Sequence, residues 1–220
     1  RYQDKQYLFC DVAVVGAGPA GLSAALKAAE SGASVLLIDE QPELGGSLTY
    51  HRFAIDNAAV RSEAETLIAN VASHPRIRVL THAVCNGWFT DHYLPVIQGD
   101  RLFKVRAKSC VLATGSSEQH VVFRNNDLPG VVLCSALERL LHHYAVAPQG
   151  KLVVLAGNDQ AWMTALTAAD AGLSVSALVD LRDAPDDGAL LAEAAPTLFA
   201  ADSAVPVACF SSNNVRCMAH

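Results

Sequence analysis

Three glycines stand at a spacing that suits a phosphate. In "DVAVVGAGPAG", residues 11–21, Gly16, Gly18 and Gly21 follow a short apolar run in a G-x-G-x-x-G pattern. Gly16 permits a tight turn out of a strand. Gly18 leaves room for a pyrophosphate to approach the backbone, and Gly21 lets the next helix pack closely. Free N–H groups at the helix start, and the positive end of its dipole, then face the anion. Asp39 lies 18 residues past Gly21, at the end of a second apolar run. A carboxylate there is placed to accept hydrogen bonds from the adenosine ribose hydroxyls, and it repels a 2′-phosphate, which disfavours NADP. A glycine turn without a ligand is the competing reading. The strand, helix and acid around this one argue against it.

Two further glycine segments extend the candidate site. "PELGGS" (Pro42–Ser47) allows a second close approach of backbone to a long ligand, and "LATG" (Leu112–Gly115) closes a strand at the carboxyl edge, where ligands of open α/β sheets bind. His51, just after the paired glycines, is the one polar candidate near the expected ring end of the cofactor, and it reads as a loop histidine without catalytic duty. No Ser-His-Asp pattern, H-E-x-x-H motif or acid–base pair is visible, so no catalytic residue and no metal ligand is assigned.

These residues need elements to hold them. Cys10–Val15 reads as a buried strand. A helix follows from about Pro19 to Ser31, with Ala24, Ala25 and Ala28 toward the sheet and Gly32 at its C′ position. Val35–Ile38 is wholly apolar, as a parallel strand covered on both faces requires. Val60, Ala64, Leu67, Ile68 and Val71 share one face of an amphipathic helix that ends before Pro75. "RIRVLTHAVC" is expected as one more strand of the parallel sheet. Residues 86–108 are expected as an antiparallel β-meander turning at Gly99–Asp100, and "SCVLATGS" as a separate buried strand. After a turn at Pro129–Gly130, Ser135 and Glu138 have the spacing of a capping box. The helix they open carries a stripe of Leu137, Leu140, Leu141 and Tyr144, with His142 and His143 solvated or at the core edge.

From Gly150 the plan of residues 11–40 repeats: strand, glycine-bearing turn, Ala-rich helix, Gly172, strand. Ala156, Asn158 and Ala161 now stand where three glycines would, and Asp159 adds negative charge on the phosphate path. This copy is expected to bind a dinucleotide weakly or not at all. Asp180, which matches the ribose acid, is then a structural remnant. "RDAPDDGALLAEAAP" reads as a polar loop and short helix, with an incomplete strand-like tail beyond it. The whole predicts an α/β, Rossmann-like FAD/NAD(P)-binding fold with a parallel sheet plus β-meander over residues 1–149, and a second, partial βαβ lobe over 150–220.

Composition sets limits on function. The chain has 220 residues, a formal charge of -6 and 51% hydrophobic residues, with no basic cluster for nucleic acid and no apolar run long enough for a membrane span. Six scattered cysteines without C-x-x-C read as buried free thiols of a reducing, cytoplasmic compartment, and leave no dithiol relay. No secretory h-region is present, and both ends read as cuts within a longer polypeptide.

The segments "VVGAGPAGLSAA", "LLIDEQPELGGSL", "VLATGS", "NNDLPGVVLCSALERLLHHYAVAP" and "AGNDQAWMTALTAADAG" together resemble the two-dinucleotide-binding flavoproteins. More narrowly, they resemble the α subunit of heterotetrameric sarcosine oxidases, over about residues 1–183. The resemblance implies a much longer α chain, with a ferredoxin-like region before this part and a folate-binding region after it. It implies NAD held without covalent attachment in the first lobe, with FAD as the alternative. It implies amine oxidation at FAD in a β subunit, FMN at the boundary between the two, and other subunits of a hetero-oligomer. By carry-over, Gly16, Gly18, Gly21, Asp39, Gly46, Ser47, Thr114 and Gly115 would contact the dinucleotide, and Val84 would offer backbone to the adenine. Pro19, Ala20, Glu40, Gln41 and Ala113 complete the candidate set. Two rival readings are an FAD-holding subunit of an opine- or cyanide-forming amine dehydrogenase, and a non-enzymatic module with a decayed site.

Overall fold

Valine, leucine and isoleucine fill all four positions of the strand β2 (Val35–Ile38), and all four are buried. Such a strand needs cover on both faces, and it has neighbours on both edges. It lies parallel to β1 (Asp4–Val15) on one side and to β3 (Ile77–Leu80) on the other. The helices α1 (Pro19–Glu30) and α3 (Ala58–Ser73) connect them, with a short helix α2 (Arg52–Ile55) before α3. The computed structural model describes residues 4–182, 207–211 and 214–218, the last two segments as strand backbone. It divides into two units, Arg1–Ser117 and Glu118–His220.

The first unit is built on one six-stranded sheet in the order β3-β2-β1-β6-β5-β4. The strands β3, β2, β1 and β6 (Arg101–Leu112) are mutually parallel. The strands β5 (Tyr93–Gln98) and β4 (Ala83–Cys85) run antiparallel beyond β6, with the turn at Gly99–Asp100 where the sequence puts it. Two expectations change in detail. The meander's last segment and "SCVL" are one strand, because β1 pairs with β6 from Asp4↔Arg101 to Val15↔Leu112. That pairing is a long-range contact which alternating hydrophobicity does not reveal. Conversely, "RIRVLTHAVC" is two strands, broken at His82, whose φ is 50°. Only β3 joins the parallel sheet, and β4 pairs with β5 instead.

Helix α1 buries Gly21, Leu22, Ala25 and Ala29, while Ala24 and Ala28 are half-buried. The stripe is thus shifted from the alanine pattern toward Leu22, which packs in one cluster with Val14, Val35 and Leu37. Gly32 takes a φ of 95° just past the helix, as a C′ glycine does. On α3 the five residues Val60, Ala64, Leu67, Ile68 and Val71 are the ones withdrawn from solvent. Asn57 caps this helix by accepting from the N–H groups of Ala59 and Val60.

The second unit starts earlier than residue 150. Its core joins Leu137 of α4 (Cys134–Tyr144) to Val154 of β7 (Lys151–Ala156), Trp162 and Leu166 of α5 (Asp159–Asp170), and Leu178 of β8 (Ser174–Asp180). The apolar stripe of α4 therefore belongs to this unit, and the division falls at 117/118. The capping box does not form. Glu138 is buried and accepts hydrogen bonds from Gln160 Nε2 at 2.8 Å and Thr164 Oγ1 at 2.6 Å. Glu118 instead accepts from the N–H groups of Cys134 and Ser135. Tyr144 is exposed, outside the stripe it was expected to extend. The sheet order is β10-β9-β8-β7, with β9 (Val207–Ser211) parallel to β8 and antiparallel to β10 (Asn214–Met218). The expected loop and short helix after Arg182 lie outside the described residues.

Cys10, Cys85, Cys110 and Cys134 are free thiols, each half-buried. Burial pushes Cys10 and Cys134 up to about 11, so both stay protonated at neutral pH. Alkylation of these two by iodoacetamide at pH 8 is expected to run roughly a hundredfold slower than that of a small free thiol, read by peptide mass spectrometry. Equal rates would mean that the burial is not present in solution.

Candidate functional site

The glycine loop is held by backbone from three separate segments. Gly16 leaves β1 with a φ of 101°, and a Cβ there would stand 2.2 Å from the Ala113 carbonyl oxygen. A Cβ on Gly21 would meet the Gly16 carbonyl oxygen at 1.8 Å. The close approach that Gly21 permits is therefore to the loop itself as well as to Ala113, whose Cβ lies 3.3 Å away. Gly46, at a φ of 55°, backs onto Gly18, with 2.8 Å from its Cβ position to the Gly18 Cα. Gly18 is different. Nothing lies within 4 Å of its Cβ position, so that side of the loop faces open space.

Hydrogen bonds complete the frame. The Ala17 N–H donates to Asp39 Oδ2, and the Gln41 N–H donates to Asp39 Oδ1 at 2.8 Å. The Gly45 N–H donates to the Ala17 carbonyl at 2.9 Å, which ties "PELGGS" to the glycine loop. The Ala113 N–H donates to the Val15 carbonyl at 2.7 Å. The Asp39 carbonyl accepts from the Ala83 N–H at 2.9 Å, so β4 begins beside the acid and Val84 follows one residue on. Each Asp39 oxygen keeps a second lone pair for an external hydroxyl.

Helix α1 has Gly18 as its N-cap, Pro19 in its first turn and no side-chain cap. Pro19 has no N–H, and the N–H groups of Ala20 and Gly21 have no carbonyl one turn back inside the helix. These two donors lie in the first turn after Gly18. Pro19, Ala20, Glu40, Gln41, Val84, Thr114 and Gly115 are exposed, while Ser47 and Ala113 are half-buried. Gly115 takes a φ of 74° at the end of the β6 extension. The structure thus gathers Gly16–Gly21, Asp39–Ser47 and Ala113–Gly115 around one loop. His51 stands at the N-cap position of the short α2, without a side-chain cap bond, and packs edge-on against Tyr50, with ring centroids 4.8 Å apart.

Residues without a polar side chain proved more central than the sequence suggested. Ala17 is fully buried and both its backbone groups are used, by Asp39 and by Gly45. Gly45 adopts a φ of 121°, with a Cβ position 2.9 Å from Thr49 Cγ2. The doubled glycine was the available signal for Gly45; Ala17 carries none. Among the described residues no group of three or more His, Cys, Asp or Glu side chains could hold a metal. No helix among them is long and apolar enough to cross a membrane.

A parallel sheet with a glycine loop at its carboxyl edge and an acid ending the second strand defines a dinucleotide-binding oxidoreductase domain. Residues 10–194 match the pyridine nucleotide-disulphide oxidoreductase family, and the chain belongs to it. It is similar to the sarcosine oxidase alpha chain of Rhizobium meliloti (strain 1021), with 35% identity over 198 residues, 82% of this chain and 20% of that protein. An opine oxidase subunit of Agrobacterium tumefaciens (strain Ach5) is 28% identical over 197 residues, 83% of this chain and 39% of that one. In structure, L-proline dehydrogenase from P. horikoshii superposes with a TM-score of 0.68 at 26% identity, over 82% of this chain and 37% of the other. The chain spans about a fifth of the length of the sarcosine oxidase protein.

Proposed function

We propose that the first unit holds an adenine dinucleotide, NAD or FAD, for an oxidoreductase subunit resembling sarcosine oxidase alpha. The observation that carries this is the open side of Gly18, in a loop where the Cβ positions of Gly16, Gly21 and Gly46 all run into neighbouring backbone. A pyrophosphate fits there because it brings the negative charge that the Ala20 and Gly21 N–H groups lack a partner for. The Asp39 carboxylate, fixed by Ala17 and Gln41, orients the adenosine ribose through its remaining lone pairs. The β4 edge beside it, with Val84, supplies the wall for the adenine. Ser47 and Thr114–Gly115 border the path toward the ring end. The dinucleotide, where it is the catalytic FAD, would supply the electron-accepting chemistry. The role of these residues is to bind and orient it.

The similarity to the sarcosine oxidase alpha chain supports oxidative demethylation of an N-methyl amino acid by the complete assembly, with the amine oxidised in an FAD-bearing partner subunit. An FMN at the boundary between them rests on that similarity alone. The opine oxidase similarity supports a second reading, in which this unit carries the catalytic FAD itself. Purification of the full-length protein, followed by mass spectrometry and absorbance of the released ligand, separates them. NAD, with or without FMN, supports the first reading, FAD the second, and a full-length protein that neither carries nor takes up NAD or FAD would refute both.

A further inference from the structure

The second unit repeats the first closely enough for residue-by-residue comparison. In the first, β1 and β2 pair up to Val15↔Ile38, so the next step sets Gly16 beside Asp39. In the second, β7 and β8 pair up to Ala156↔Asp180. Asp180 is therefore the counterpart of Asp39. Gly18 and Asn158 are the two N-caps, and Pro19 and Asp159 the two first helical residues.

The chemistry at these matched positions differs. Asp180 is fully buried, and its Oδ1 accepts from the Arg182 N–H at 2.9 Å, as Asp39 Oδ1 accepts from the Gln41 N–H, but side chains add further bonds to it. Trp162 Nε1 donates to Asp180 Oδ2 at 2.6 Å. Arg182 donates to the same carboxylate from Nε at 3.1 Å and Nη2 at 2.9 Å, in a bidentate fork. Its Nη1 reaches Asp159 Oδ1 at 2.7 Å. Burial pushes the Asp180 carboxyl up, but the bonds from Arg182 and Trp162 outweigh it and hold it below the usual carboxylate range. The Trp162 position is held in the first helix by Leu22, which has no donor to offer.

The Arg182 guanidinium thus bridges the strand-end acid and the first residue of the helix. In the first unit that line is the path assigned to ribose and pyrophosphate, so this comparison rests on the reading given under Proposed function. Asp159 also places a carboxylate at the helix N-terminus, where the dipole favours negative charge. Both features that would recruit a nucleotide are already satisfied from within. We infer that Arg182, by bridging Asp159 and Asp180, occupies the nucleotide path of the second unit, making it a closed copy that excludes adenine dinucleotides and leaves one such site in this part of the chain.

The test uses peptide-resolved hydrogen exchange on the full-length protein, with ADP-ribose as probe. Addition of ADP-ribose is expected to slow exchange in peptides covering residues 12–47 and to leave residues 151–182 unchanged. Gly18→Val is expected to abolish the first effect without creating the second. Arg182→Ala is expected to speed exchange of the β8 amides by roughly tenfold or more, and ethylguanidinium to restore much of the slow exchange. If that variant does not fold, Arg182→Lys, which keeps the charge but loses the fork, is expected to show an intermediate rate. Slowing of residues 151–182 by ADP-ribose in the unaltered protein would overturn the inference. So would unchanged β8 exchange in both Arg182 variants. Missing protection at residues 12–47 would count against the function proposed for the first unit, while residues 151–182 still decide the role of Arg182.

Discussion

Gly21→Ala is expected to destabilise the first unit by about 3 kcal/mol, at the upper end of what overpacking costs. The added methyl would stand 1.8 Å from the Gly16 carbonyl oxygen and 2.9 Å from its carbon. Both are backbone atoms, and the Gly16 N–H is itself tied to the Ile38 carbonyl at 2.8 Å. No side-chain rotation relieves the clash, so the helix must move off the loop. In thermal denaturation this should appear as a loss of roughly 10 °C or more for a unit of this size. The comparison is Gly18→Ala, whose Cβ meets nothing within 4 Å and whose φ of -72° suits any residue. That variant should melt within about 2 °C of the unaltered protein. Equal melting of the two variants would mean that the loop is not packed as described.

Gly18→Val should have the opposite profile: a small change in stability and a large one in binding. Its side chain would enter the open space beside the loop, where the proposed pyrophosphate lies. A loss of about 100-fold in dinucleotide affinity is expected, about 2.7 kcal/mol, measured by titration calorimetry on the full-length protein. Full affinity in this variant would remove the loop from the site. The pair of variants separates two jobs within one motif. Gly21 is glycine because protein fills the space, and Gly18 because protein does not.

The packing and binding halves of the motif were unequally legible. Spacing alone placed Gly16, Gly18, Gly21 and Asp39 on a strand–turn–helix–strand unit, because each of those features follows from local backbone geometry. The buried run Val35–Ile38 and the face of α3 were readable for the same reason: their periodicity is set by the residues within them. The capping box was misleading because Ser135 and Glu138 have the right spacing, yet Gln160 and Thr164 of a different helix draw Glu138 into the interior. A local pattern gave way to a non-local polar contact.

Sequence by itself determined the class of fold, the two βαβ repeats, and which copy keeps its glycines. Tertiary structure alone decided that β6 runs unbroken along β1, that Ala17 joins Asp39 to Gly45, and that Arg182 lies across the second cleft between Asp159 and Asp180. The reason is physical. Turns and helix faces are fixed by neighbours a few residues apart, whereas strand partners and ion pairs depend on which distant segments the completed core brings within about 3 Å of one another.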